Sequence, residues 1–290
     1  LKMTVQGRDV MQFVRIVDGD EMDLTIRGVL RYEGIDYPVS GWIYAYENRN
    51  IRNVTVESIP DQGIFFNKSS TKTLRFINTE PLDLTHSYFR SCDELSSVSF
   101  EGPVDAIGFN VFGDSTEIRS LRFAKDVGSI AYSAFASNNY IEQLVFEGSV
   151  EQIISESFGS FTKLKSVVFK GNVGSIDRYA FNGCSKLESI IFEGNLSELQ
   201  MFCGCDSLRS IVVKGTVELV SNSAFNGSDV NSVEGLDLSV NHYNRVEHFA
   251  FNNLKVSKKI IDDVLSKSDY VAPNAFSDVS VSIEGDYETY

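Results

Sequence analysis

The chain has 290 residues, 42% of them hydrophobic, and a formal net charge of −14 at pH 7. That acidity excludes a nucleic-acid binder, which needs a basic stripe against the phosphate backbone, and argues against docking on anionic membranes. No run of about 18 apolar residues occurs, so no membrane-spanning helix is expected, and no signal segment precedes Leu1, which reads as the start of a trimmed mature chain.

Residues 1–42 fit no repeat and read as an N-terminal β cap. Residues 11–17 and 22–29 have the alternation of two strands, joined as a hairpin by the turn Asp18-Gly19-Asp20-Glu21. A shorter pairing follows around Glu33-Gly34. Asp18, Asp20 and Asp23 only superficially resemble a calcium loop, because no trailing bidentate Glu stands at the right spacing. Residues 43–88 hold degenerate repeats, with strand pairs Val54/Val56 and Leu74/Phe76 and an anchor at Phe65 or Phe66.

Residues 89–225 repeat regularly. Phe89, Phe112, Phe135, Phe158 and Phe181 are each 23 positions apart, and Phe202 and Phe225 follow after 21 and 23. Numbered from its first apolar residue, each unit is apolar at positions 1, 4, 6, 10, 13 and 18, as in Leu164, Val167, Phe169, Val173, Ile176 and Phe181. Positions 4 and 6 alternate with polar neighbours, the period of a short strand. A period of about 20 to 29 residues marks a leucine-rich solenoid, in which each coil buries its apolar face only against its neighbours. Copies of one strand then stack as a parallel sheet, about 4.8 Å per coil. Position 8 is Gly in most units (Gly102, Gly148, Gly171, Gly194, Gly215), which predicts a turn with positive φ after the strand.

Residues 226–290 read as irregular C-terminal repeats and a cap. An insertion is expected near Gly235–Asn244, with Leu236 and Leu238 still supplying a strand. Ile260, Ile261, Val264 and Leu265 have helical spacing behind Ser257 as N-cap, which predicts one short helix. Ala275, Phe276 and residues 279–283 make a last coil.

The run Ala180-Phe181-Asn182-Gly183-Cys184-Ser185-Lys186-Leu187-Glu188-Ser189-Ile190-Ile191-Phe192 resembles the BspA-type leucine-rich repeats of bacterial and protist surface proteins. The resemblance spans roughly residues 45–285. It implies a leucine-rich-repeat solenoid of short parallel strands with irregular convex loops, secreted or anchored at the cell surface, that serves adhesion by binding host or matrix proteins. One departure stands out: many members carry Ile-Pro after the strand, where this chain has Phe-Glu-Gly or Phe-Lys-Gly.

Positions 3, 5, 7 and 9 point away from the core and form the open, concave face. Position 7 runs Glu101, Ala124, Glu147, Lys170, Glu193, Lys214, which sets opposite charges on neighbouring coils. Position 5 runs Ser99, Arg122, Val145, Val168, Ile191, Val212. Four β-branched residues there are either simple strand preference or an apolar stripe for a partner. The candidate binding residues are therefore Arg122, Val145, Glu147, Val168, Lys170, Ile191, Glu193, Val212 and Lys214.

Cys92, Cys184 and Cys205 each stand three residues after an anchor Phe, in one inward column. Buried thiols, a Cys184–Cys205 bridge and a zinc site are all open, although Cys203-Gly204-Cys205 lacks zinc spacing and histidine partners. His86, His242 and His248 are scattered, with no nucleophile in register, so no catalytic site is expected. Nor is a metal or cofactor. Carbohydrate cleavage would need clustered carboxylates, and a glycan platform would need exposed aromatics, yet Trp42 lies near the cap and Tyr132 and Tyr179 lie on the convex loops. Asn53, Asn67, Asn195 and Asn226 open glycosylation sequons, meaningful only in a eukaryotic secreted protein. The expectation is a non-enzymatic protein that binds protein partners, its oligomeric state open with a monomer as the default; a glycan-binding or carbohydrate-active surface protein and a passive spacer are the alternatives.

Overall fold

A computed structural model describes residues 2–5, 8–12, 22–27, 29–32, 35–40, 43–44, 51–59, 64–66, 69–86, 89–115, 117–136, 138–200, 202–225, 237–252, 254–283 and 286–289. The chain folds as a leucine-rich-repeat solenoid in two compact units, Leu1–Ile141 and Glu142–Tyr290. Trp42, Asp18, Asp20, Asn67, Asn226 and Leu236 lie outside the described residues.

In the first unit, one parallel ladder runs through Met22–Ile26, Ile51–Val56, Thr73–Phe76, Ser97–Phe100 and Ser120–Phe123. A second joins Leu82–Leu84, Val104–Ile107 and Val127–Ile130. Antiparallel hairpins precede and flank the first rung: Lys2–Val5 with Arg8–Gln12, and Val29–Tyr32 with Ile35–Ser40 around residues 33–34. Among the described residues, the hairpin expected between residues 11–17 and 22–29 is not seen: Met11 and Gln12 lie in a strand that pairs with Lys2–Val5 and Ile35–Ser40. Residues 13–21 lie outside the described part, and Met22–Ile26 pairs parallel with Ile51–Val56. Ile26, Val54 and Val56 are buried, so the apolar face of this strand is better covered as a rung of the stack than as a free hairpin. Asp23 sits in that strand and accepts from Asn53 Nδ2 at 2.7 Å.

In the second unit, the first ladder runs Gln143–Phe146, Ser166–Phe169, Ser189–Phe192 and the start of Ser210–Val220. The second runs Val150–Ile153, Val173–Ile176, Leu196–Leu199, the end of Ser210–Val220, Asp237–Val246 and Ser268–Val271. This second strand occupies positions 10 to 13 and was not legible as one, because its buried residues are first and fourth. A flat strand would place those on opposite faces; burying both requires the chain to turn a corner within four residues. Where an insertion is expected at 235–244, residues 237–246 form one continuous strand, Asp237–Val246, paired parallel with Ser210–Val220; the register shifts within it, since Val240 faces Val213 and His242 faces Thr216.

Phenylalanines fill both cores in two columns. At position 6, Phe76 and Phe100 stack at 4.7 Å in the first unit, and Phe146, Phe169 and Phe192 stack at 4.9 and 5.1 Å in the second. At position 18, Phe112 and Phe135 stack at 4.7 Å, and Phe158 and Phe181 at 5.4 Å. The columns meet edge-on, as Phe146 does Phe158 at 6.0 Å. Such pairs add about 0.5–1.5 kcal/mol each beyond their buried area.

The predicted helix is Lys258–Lys267, buried through Ile260 and Val264. Ser257 is its N-cap, but the hydroxyl makes no cap hydrogen bond, and Leu265 is exposed rather than packed. The last coil strand, Ser280–Ile283, pairs parallel with Lys255–Ser257 and antiparallel with Asp286–Thr289.

The position-8 glycines do not have positive φ; among the described glycines that conformation is found at Gly183 and Gly204. Their cause is proximity. A Cβ on Gly171 would stand 2.4 Å from the backbone N of Ser149, and one on Gly194 would stand 2.6 Å from the carbonyl of Gly171. At Gly171 and Gly194 the coils approach too closely for a side chain, whereas Lys125 holds the same position in the first unit with its side chain exposed.

Candidate functional site

The second unit carries most of the predicted face. Inward positions 4 and 6 leave position 5 outside, and the ladder register sets Val145 beside Val168, Val168 beside Ile191 and Ile191 beside Val212. All four are half-buried against one another. The next rung presents exposed Ser239, where the stripe ends. Arg122 belongs to the first unit and pairs there with Glu101 at 2.5 Å.

Position 7 forms a charged rail along the stripe. Lys170 Nζ donates to Glu147 and Lys214 Nζ to Glu193, each at 2.7 Å. The Glu193 carboxyl lies below its ordinary range, chiefly through the hydrogen bond from Lys214, then through its charge and that of Lys170. These pairs are exposed, so each contributes little to stability; their interest is the pattern they display.

A second rail escaped the sequence reading. Position 2, just before each strand, runs Glu142, Lys165, Glu188, Arg209, and all four side chains are exposed. Lys165 Nζ donates to Glu142 at 2.8 Å and holds that carboxyl below its usual range. The signal was present as the same alternation of sign, but position 2 precedes the strand and alternation alone does not place it outside.

Position 9 locks the coils together beyond the rail. The backbone N–H of Asn172 donates to Ser149 Oγ at 3.3 Å, that of Asn195 to Asn172 Oδ1 at 2.9 Å, and that of Thr216 to Asn195 Oδ1 at 2.9 Å. This side-chain ladder ties the turn after each of these strands to the turn of the neighbouring coil.

The family described as "BspA type Leucine rich repeat region (6 copies)" matches residues 43–142, 83–201, 130–256 and 198–284. The chain belongs to the BspA-type leucine-rich repeat family. No functionally curated protein matches it. Among solved structures it is similar to a leucine-rich repeat protein from Bacteroides ovatus, at 14% identity and a TM-score of 0.36, over 89% of this chain and 80% of that one. It is similar to the pneumococcal vaccine antigen PcpA at 14% identity and a TM-score of 0.33, over 97% and 96%. A leucine-rich cell surface protein from Faecalibacterium prausnitzii matches at 13% identity and a TM-score of 0.24, over 82% and 92%.

The cysteine of the BspA-type repeat has a defined task in this chain. All four cysteines are buried thiols outside any disulfide, so Cys184 and Cys205 are not bridged. Cys184 Sγ donates to the carbonyl of Phe158 at 3.3 Å and Cys205 Sγ to that of Phe181 at 3.4 Å. In the first unit Cys92 Sγ does the same to Phe66 at 3.0 Å, and Ser115 Oγ, at the same repeat position, donates to Phe89 at 2.8 Å. Cys92, Ser115, Cys184 and Cys205 are small buried donors in this column, which Phe161 interrupts one coil before Cys184; burial pushes the Cys184 thiol up to about 12 and raises Cys92 and Cys205. Among the described residues, no group of three or more His, Cys, Asp or Glu is arranged to hold a metal ion. His242 contacts Asp269, His248 contacts Asn274, and His86 lines an open cavity of about 370 Å³ with Glu57, Glu80 and Asp83 in the first unit. No helix among the described residues is long and apolar enough to cross a membrane.

Proposed function

We propose that this chain is a non-enzymatic module, secreted or held at the cell surface, that binds protein partners through the outward face of its second unit. Membership of the BspA-type repeat family supports the surface placement and the adhesive role. One observation carries the choice of face: Val145, Val168, Ile191 and Val212 stand in register on four successive rungs, half-buried and flanked by a charged rail. An apolar strip with a polar rim is the anatomy of a protein interface. Buried apolar area contributes roughly 25 cal/mol per Å², offset in part by association entropy.

The test is the double substitution Val168→Asp with Ile191→Lys, which keeps net charge and leaves inward side chains untouched. Wild type and variant are compared for binding to purified extracellular-matrix and host surface proteins, with a glycan array alongside. The variant should fold as wild type and bind at least about tenfold more weakly, equivalent to ~1.4 kcal/mol. Glycan binding without protein binding would reverse the reading in favour of the exposed, stacked Phe109 and Tyr132 of the first unit.

A further inference from the structure

The charge order along this face has a symmetry of its own. Over four rungs position 7 reads minus, plus, minus, plus (Glu147, Lys170, Glu193, Lys214), and position 2 reads the same way (Glu142, Lys165, Glu188, Arg209). Reversed, the order becomes plus, minus, plus, minus. A face with this property is complementary to itself when a second copy meets it with the rungs in opposite order. A two-fold axis lying in the interface and parallel to the strands performs that operation: it keeps strand direction and column identity and inverts rung order.

We infer that the partner this face fits is a second copy of the chain, docked about such an axis between the rungs of Lys170 and Glu193. This rests on the reading of the face as a protein-binding surface and deepens it. In that dimer Val168 lies over Ile191 of the second copy and Val145 over its Val212, so the apolar strips cover each other. Glu147 meets Lys214 and Lys170 meets Glu193; on the other rail Glu142 meets Arg209 and Lys165 meets Glu188. Every charge in both rails finds an opposite charge, whereas a dimer preserving rung order sets like against like at every position. Two-fold isologous contact is the commonest oligomer geometry, and this strip meets its requirement of self-complementarity in both apolar and charged terms.

Four rungs at about 4.8 Å and six residues at about 3.3 Å outline a patch of roughly 400 Å² per copy. A standard interface covers about 800 Å² per partner. The dimer is accordingly weak and formed on encounter, and it loosens with salt as exposed charges are screened.

The test uses sedimentation velocity over a concentration series at low and high salt. One variant inverts the first two rungs (Glu142→Lys, Glu147→Lys, Lys165→Glu, Lys170→Glu). The other inverts the last two (Glu188→Lys, Glu193→Lys, Arg209→Glu, Lys214→Glu). Each keeps net charge and the ion pairs within its own two rungs. Each alone meets itself like against like, while the two together are complementary at every rung. Wild type should dimerise, each variant alone should associate at least about tenfold more weakly, and their equimolar mixture should recover to within about threefold of wild type. A monomeric wild type at low salt, a variant that dimerises as wild type does, or a mixture that does not associate overturns the inference. A second measurement needs no charge inversion. Val145→Cys with Val212→Cys should form a covalent dimer on oxidation and Val145→Cys alone should not. The two sites lie about 14 Å apart within one chain, too far to bridge internally. Absence of that covalent dimer also overturns the inference. If wild type stays monomeric yet loses a different protein partner through Val168→Asp with Ile191→Lys, the second-copy assignment fails and the protein-binding face stands.

Discussion

Cys184 Sγ donates to the carbonyl oxygen of Phe158, one coil back, at 3.3 Å. Neither residue is near the other in sequence, and the bond joins the two features that define the repeat, its cysteine and its anchor phenylalanine. Cys184→Ser should be mild, since Ser115 already performs this role for Phe89 at 2.8 Å. Cys184→Ala removes the donor and should cost about 1–3 kcal/mol by chemical denaturation. The thiol should resist alkylation until the chain unfolds. Burial holds its folded pKa at about 12, above the ~8.5 of a free thiol. Its contribution is therefore fully present below pH ~8.5 and is lost as pH rises from there toward the folded value. Alkaline titration of stability should show a shallower decline in Cys184→Ser than in wild type; equal slopes would remove the thiol from the account.

Phe181 is fully buried and stacks on Phe158 at 5.4 Å. Phe181→Ala leaves a cavity between coils and should cost about 3–5 kcal/mol. A melting temperature equal to that of wild type would mean that the anchor column does not hold the stack.

Gly171 and Gly183 should respond unequally to small side chains. Gly171→Ala drives a methyl into the backbone of Gly148 and Ser149, at 2.5 and 2.4 Å, and should cost about 1–3 kcal/mol as overpacking. Gly183 has φ of +79° with no contact closer than 3.2 Å. Gly183→Asn should therefore cost under about 1 kcal/mol, because Asn adopts the left-handed region readily. Denaturation midpoints for both variants check the distinction between proximity and backbone angle.

Phe249 occupies the left-handed region at φ of 56°. Two residues before the anchor, the same conformation is held by Asn110, Ser133, Glu156 and Ser223. Tyr179 and Asn274 stand at the same repeat position without it, so the conformation belongs to some coils only; a bulky residue held in it carries strain of about 1–2 kcal/mol. Phe249→Asn should raise the melting temperature, with a gain of about 1 kcal/mol, while Phe249→Ala should bring no such gain. Similar melting of the two variants would show that strain at this position is not the determinant.

The sequence by itself determined the period, the inward columns at positions 4, 6 and 18, the parallel stacking and the helix at 258–267. Each is a local statement: alternation or helical spacing reports which side chains are buried, whatever they are buried against. It also put Val145, Val168, Ile191 and Val212 in one column, because equal spacing in a stack becomes adjacency in space. What only the tertiary structure decided are matters of coil-to-coil distance. The glycines of position 8 looked like turn residues and are instead points of close approach. Val173 and Ile176 are regular apolar positions that the sequence reading assigns to no element, and they open and close a strand that turns a corner. Met22–Ile26 looked like half of a hairpin and is the first rung of a ladder. The rail at position 2 becomes visible when Lys165 is found on Glu142. In a stack the deciding contacts join residues about one period apart, and a pattern read along the chain registers that a side chain is buried or exposed without registering how near the next coil stands.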